Sequence, residues 1–236
     1  MTFRLSVFSF LVMLAALGRT APSGAQSLIV GIPNADTTEH GRLSLTHESQ
    51  ALNLSRSPSW NSFSFITYGL TEHVEASLSL VNLSSPRAGE LVLGAGFKSV
   101  HRFGGARAPS WEPRLTVGTT ALFSLERSAV GGWAYAHGSV RLPGAHTRLT
   151  AGLSYGSELL FGAGQNPVSF IAGVEQPLSE WFWLVADWYS GDHALGAFIP
   201  AAQFNIGRAA IIAGYKFDNN RADPKDGPIL EVMVSF

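Results

Sequence analysis

The chain has 236 residues, of which only 14% are charged, against about 25% in an ordinary soluble domain, and its formal net charge is −1. Near-zero net charge leaves no basic footprint for nucleic acid. With no cysteine, disulfide frameworks, thiolate metal sites, cysteine nucleophiles and cysteine-linked lipids are excluded.

The chain opens with Arg4 ahead of the apolar run 5–17, "LSVFSFLVMLAAL", followed by the small residues of "APSGAQS". Such a run is too short for a transmembrane helix, which takes about 20 residues. The pattern predicts a signal peptide over 1–25, cut after Ala25. Removing it takes away Arg4 and Arg19 and no acid, so the net charge of −1 becomes −3. Residues 26–40 are expected to form an N-terminal periplasmic or plug segment, and 41–236 a barrel.

From about Arg42 onward the sequence repeats one theme: about ten residues alternating apolar with small or polar, closed by turn residues. Successive side chains of a strand point to opposite faces, so Val74, Ala76, Leu78 and Leu80 fall on one side and Glu75, Ser77 and Ser79 on the other. The same alternation predicts twelve strands, near 42–52, 61–69, 74–83, 90–100, 113–125, 132–142, 147–156, 167–176, 181–190, 195–205, 208–217 and 228–236. In the first of them His47 and Ser49 fall on the apolar side. Strands of this length, tilted about 45°, cross a bilayer.

The links alternate in length. "GLTEH" (69–73), "LPGAHT" (142–147), "QPLSEW" (176–181) and "NIGR" (205–208) are short, whereas "NLSRSPSW" (53–60), "GSELLFGAGQNP" (156–167), "SGDHALG" (190–196) and "DNNRADPKDGP" (218–228) are longer. Counting back from the last strand puts all four short links at one end of a barrel and the longer ones at the other, the asymmetry of outer-membrane barrels. "HRFGGARAPSWE" (101–112) breaks the rule, being long yet at the short-link end.

The chain ends inside a strand, "LEVMVSF", with Leu230, Val232, Val234 and Phe236 on one face. Together with the leader and the meander of alternating strands, this resembles a bacterial outer-membrane β-barrel, porin-like in type. The resemblance covers nearly the whole chain after the leader. It implies an all-β fold, a transmembrane antiparallel meander barrel of about twelve strands, exported and placed in the outer membrane of a Gram-negative bacterium. It also implies membrane lipid and the barrel-assembly machinery as partners, with Leu230, Val232, Val234 and Phe236 as the assembly signal.

On this register glycine, serine and threonine line the lumen, with Lys98, Arg114, Arg141, Arg148 and Lys216 inward among the bases and Glu75, Glu175, Asp187 and Glu231 among the acids. Rings of like charge set ion selectivity, and here the signs nearly balance. Small side chains in a barrel wider than eight strands predict a water-filled lumen. The expected function is therefore a passive pore for small polar solutes with weak charge selectivity. Trp133, Tyr135, Trp183 and Tyr189 also point inward by parity, but rings near strand ends favour an interfacial girdle.

Two alternatives stay open. "YAHGS" (135–139) puts His137 and Ser139 on one face, in an order resembling the motif of outer-membrane lipid A deacylases, which implies a membrane-embedded lipid hydrolase. The other is a structural or adhesive barrel plugged by its own loops. The seven histidines have no paired metal-ligand spacing, and no glycine-rich phosphate loop joins a strand to a helix, so neither metal nor cofactor is expected.

Overall fold

The computed structural model describes residues 28–55, 57–83, 90–104 and 110–236. The expected signal peptide, 1–25, lies outside the described residues. Twelve strands follow one another as β1 (Leu43–Leu52), β2 (Ser59–Gly69), β3 (Val74–Leu83), β4 (Glu90–Arg102), β5 (Arg114–Ser124) and β6 (Val130–Arg141). The second half comprises β7 (Arg148–Gly156), β8 (Val168–Pro177), β9 (Phe182–Tyr189), β10 (Ala197–Ile206), β11 (Ala209–Asp218) and β12 (Gly227–Ser235). One short helix, α1 (Glu158–Phe161), interrupts the link after β7.

Each strand pairs antiparallel with its sequence neighbours, and β12 closes on β1. The seam is held in register by Ser44 opposite Ser235, His47 opposite Val232 and Glu48 opposite Glu231. The last residue is tied in as well, the Phe236 N–H donating to the Leu43 carbonyl at 2.8 Å. Closure leaves no sheet edge with unpaired backbone groups, the condition for a β structure to sit in hydrocarbon.

Alternation then sorts the side chains. Outside, Leu78, Phe97, Leu153, Phe170, Leu184 and Leu230 are exposed in an apolar band. Leu230, Val232, Val234 and Phe236 share that outer face; Val234 alone is fully buried there, between Leu45 and Ala209 on the flanking strands. His47 and Ser49 stand outward as their parity predicts, and they satisfy each other locally: His47 Nδ1 lies 2.9 Å from Ser64 Oγ and Nε2 lies 3.0 Å from Ser49 Oγ.

The expectation of a water-filled lumen is corrected. Two apolar clusters occupy it, one around Ile29, Val30, Ile32, Ile171, Tyr189 and Ile199, the other around Phe63, Val81, Leu122, Leu159, Leu160 and Phe161. The first is seeded by segment 28–41, which folds into the barrel before β1, and the second by α1, which folds in from the opposite end. The small wall residues leave space for these intrusions: a methyl on Gly173 would strike Ile29 and Ile32, and one on Gly156 would strike the Phe161 ring.

Candidate functional site: the barrel lumen

The end carrying the short links is closed by charge. Arg141 and Arg148 face each other across β6 and β7, and Arg114 enters from β5, so three guanidinium groups crowd one sector of the wall. Acids from outside the strands answer them. Asp36 pairs with Arg114 through Oδ1 and with Arg148 Nη1 through Oδ2 at 3.2 Å. Glu112, from the long link after β4, receives Arg114 Nη2 at 3.1 Å and lies 3.6 Å from Arg141 Nε. That link, long though it lies at the short-link end, supplies this counter-charge from its last residues. Burial works to raise the pKa of Asp36, but the Arg148 and Arg114 guanidinium groups outweigh it and hold the carboxyl below its usual 3.8. Beside them Glu75 accepts from the Thr38 N–H at 2.6 Å and pairs with Lys98 at 3.1 Å.

Midway along the lumen, Asp187 on β9 seats the start of the segment. Its Oδ2 accepts from three successive backbone N–H groups, Val30 at 3.0 Å, Gly31 at 2.7 Å and Ile32 at 2.9 Å. Successive N–H groups converging on one oxygen form an anion-binding nest. The Tyr189 hydroxyl donates to the Gly31 carbonyl at 3.3 Å, so one strand grips the segment at two points.

The long-link end is closed by apolar packing. Leu159, Leu160 and Phe161 are all buried, and Phe161 stacks face to face on His193 of the 190–196 link, with ring centroids 3.7 Å apart and an interplanar angle of 3°. Burial lowers the pKa of His193 to about 4, and its Nδ1 accepts the Leu195 N–H at 3.2 Å, as a neutral ring can.

Between the two closures lies a cavity of about 100 Å³. Phe63, Phe65, Trp133, Tyr135, Leu160 and Leu195 form much of its wall, with Val30 and Pro33 of the segment beneath and Glu48, Gln50, Lys98 and Lys216 as polar points. Glu48 accepts from Gln50 Nε2 at 2.6 Å, and the Gln50 carbonyl accepts from Asn61 at 3.1 Å. Its cross-strand neighbour Glu231 is 1% exposed, and neither of its carboxylate oxygens has a hydrogen-bond partner. Lys216 Nζ donates to the Ala194 carbonyl at 3.0 Å.

All nine charged lumen candidates face inward. The structure brings Arg114, Arg141 and Arg148 into one network and Glu75 onto Lys98, sets Glu175 opposite Arg148, and leaves Glu231 apart. The girdle reading of Trp133, Tyr135, Trp183 and Tyr189 is corrected: Tyr189 belongs to the inner cluster and the other three pack against it, because the intruding segments give large rings apolar company inside. His137 and Ser139 are buried on the inner face; the hydroxyl has no partner, and the imidazole lies against the Pro33 carbonyl rather than Ser139. They are not joined as base and nucleophile, nor do they face the outer apolar band. Among the described residues no group of three or more His, Cys, Asp or Glu is placed to hold a metal ion.

No protein-family model and no curated protein matches the chain. Solved structures do resemble it. An outer-membrane channel from Pseudomonas putida F1 superposes with a TM-score of 0.50 at 13% identity, over 86% of this chain and 97% of that one. Outer membrane protein Omp33 of Acinetobacter baumannii gives 0.47 at 8% identity, over 83% and 98%. The translocator domain of the autotransporter NalP from Neisseria meningitidis gives 0.40 at 13%, over 82% and 88%. The Pseudomonas channel fixes the likeness at the level of fold: this chain has the closed antiparallel barrel of bacterial outer-membrane proteins.

Proposed function

We propose that the protein is an outer-membrane channel that admits small solutes passively through a lumen closed at both ends, with a chamber between the closures. On this reading residues 1–25 direct export and are removed, and Leu230, Val232, Val234 and Phe236 present the final strand to the assembly machinery. The observation that carries the reading is the chamber itself. A barrel serving only as a scaffold has no use for a cavity walled by Phe65, Trp133 and Tyr135 and bounded by two closures made of loop and segment rather than strand. Ligand sites are mostly apolar concavities with a few placed polar groups. The wall also shifts the expected solute from purely polar toward one with an apolar body. The inward placement of His137 and Ser139, with no bond between them, does not favour the hydrolase.

Conductance in planar bilayers tests the reading. The refolded barrel should be mostly closed with brief openings, and deletion of residues 28–38 should give steady, larger steps that shrink as bigger uncharged solutes are added. A deletion variant that is folded, heat-modifiable and silent would leave a structural barrel as the answer.

A further inference from the structure

Most inward acids of the lumen meet a cation or a set of backbone donors. Asp36 and Glu112 meet the three arginines, Glu75 meets Lys98, and Glu90 meets Arg127 at 2.7 Å. Asp187 is satisfied at Oδ2 by three N–H groups, and Asp218 accepts the Asn220 and Lys225 N–H groups at 2.9 and 3.0 Å. Glu175 stands opposite Arg148. Even so Glu175 makes no ion pair within 4.0 Å and keeps one unpartnered oxygen, while Glu231, opposite Glu48, keeps both.

Glu48 and Glu231 are direct partners across the β1–β12 seam, both point inward, and they are 3% and 1% exposed. Like charges directly opposite one another on neighbouring strands destabilise a sheet. No cation among the described residues lies within 4.0 Å of either. Glu48 has one amide donor, and Glu231 has none. Lys216 lines the same chamber as Glu48 but makes no ion pair with it, its ammonium being held by the Ala194 carbonyl. A buried carboxylate with both oxygens unpartnered is costly, so the pair still calls for a proton or a further cation.

Geometry favours a cation carried by a solute. Glu48 lines the chamber with Phe65, Trp133, Tyr135 and Lys216, and Glu231 stands beside Glu48 on the neighbouring strand, outside the lining. We propose that the Glu48–Glu231 pair receives the ammonium head of a small amine whose apolar body lies in the aromatic chamber. The assignment rests on reading the lumen as a solute channel. A primary ammonium carries three N–H donors, enough to serve two carboxylates at once. The aromatic faces add attraction for the adjoining positive charge. An apolar cavity of about 150 Å³ holds benzene, so a chamber of about 100 Å³ fits a single small ring or short chain with little adjustment.

The test is a head-group series on one body: benzylammonium, benzyl alcohol and benzoate, each bound to the refolded full barrel by equilibrium dialysis against empty micelles. Benzylammonium should bind about tenfold or more tighter than benzyl alcohol, the scale of one good charge-assisted contact, with benzoate weakest. Glu48→Gln and Glu231→Gln, each checked for heat-modifiable migration, should each erase most of that preference while leaving benzyl alcohol unchanged. If benzyl alcohol binds and benzylammonium binds no tighter, the head-group site is overturned and the pair holds a proton; the same holds if both glutamine variants keep the preference. That comparison needs no variant, so a folding failure cannot hide it. If none of the three binds, the chamber reading itself falls, and the site with it.

Discussion

At the short-link end the lumen is closed by Asp36 and Glu112 among three arginines, whereas at the long-link end Leu159, Leu160, Phe161 and a neutral histidine close it. The first closure uses groups that attract over distance but are weakened by ions and by protonation of the acid. The second uses area, which is indifferent to both except through His193. Two closures of unlike chemistry respond to different conditions, so one end can be loosened while the other holds.

The largest effect is expected from Phe161→Ala. Removing a buried phenylalanine typically costs about 3–5 kcal/mol, and here the loss falls on the packing of α1 and the stacked His193 ring. Open probability in planar bilayers should rise steeply in this variant, with little dependence on salt. Asp187→Ala should come next, near 3 kcal/mol, because the N–H groups of Val30, Gly31 and Ile32 lose a common charged acceptor in a buried site. Its signature is release of segment 28–41, read as new cross-linking of a cysteine placed at Ile29 to a reagent too large to pass the closed lumen. Protection of that cysteine in Asp187→Ala would show that the apolar contacts of Ile29 and Ile32 suffice.

Asp36→Asn removes the charge that two arginines share and should cost about 2 kcal/mol at low salt. Unlike Phe161→Ala, its effect should shrink between 0.1 and 1 M salt, where the screening length falls from about 10 to about 3 Å and the wild-type closure is itself weakened. Equal effects of the two variants at both salts would abolish the distinction between the ends.

Parity carried the sequence reading far and then stopped. All twelve strands fall within two residues of their expected bounds, because a period of two between glycine-rich turns has few other readings. The same parity places every charged lumen candidate inward. Glu48 was legible too: with His47 and Ser49 on the apolar side, the residue between them had to face inward, but two polar residues outward made the first strand look irregular. Asp36 sits in "IPNADTTEH", which has no period at all, and its role depends on arginines 78 and 112 positions away. The closure by α1 had a faint signal, the apolar triplet Leu159-Leu160-Phe161 inside an otherwise polar link. The inward aromatics were misjudged for one reason: a girdle is the commoner home for such rings only while the lumen is wet.

Acidity offers the finest separation of the two ends, and its sign follows from the groups involved. His193 is buried with its pKa lowered from 6.5 to about 4, so protonation belongs to the form in which the 190–196 link has swung free. The stabilisation it gives the long-link closure is therefore complete above about pH 6.5 and is lost progressively as pH falls toward 4. Asp36, held below 3.8 by Arg148 and Arg114, keeps its contribution above that value and loses it only as pH falls through its own, lower pKa. At pH 5 the His193 stack should thus be loosened while the Asp36 ion pairs are intact. Open probability should rise modestly from pH 7 to pH 5 in the wild type and in Asp36→Asn, and rise less in His193→Gln, whose side chain does not titrate. A rise of the same size in His193→Gln would move the sensor away from the His193–Phe161 stack, and the contrast between the two ends would then have to rest on salt and packing alone.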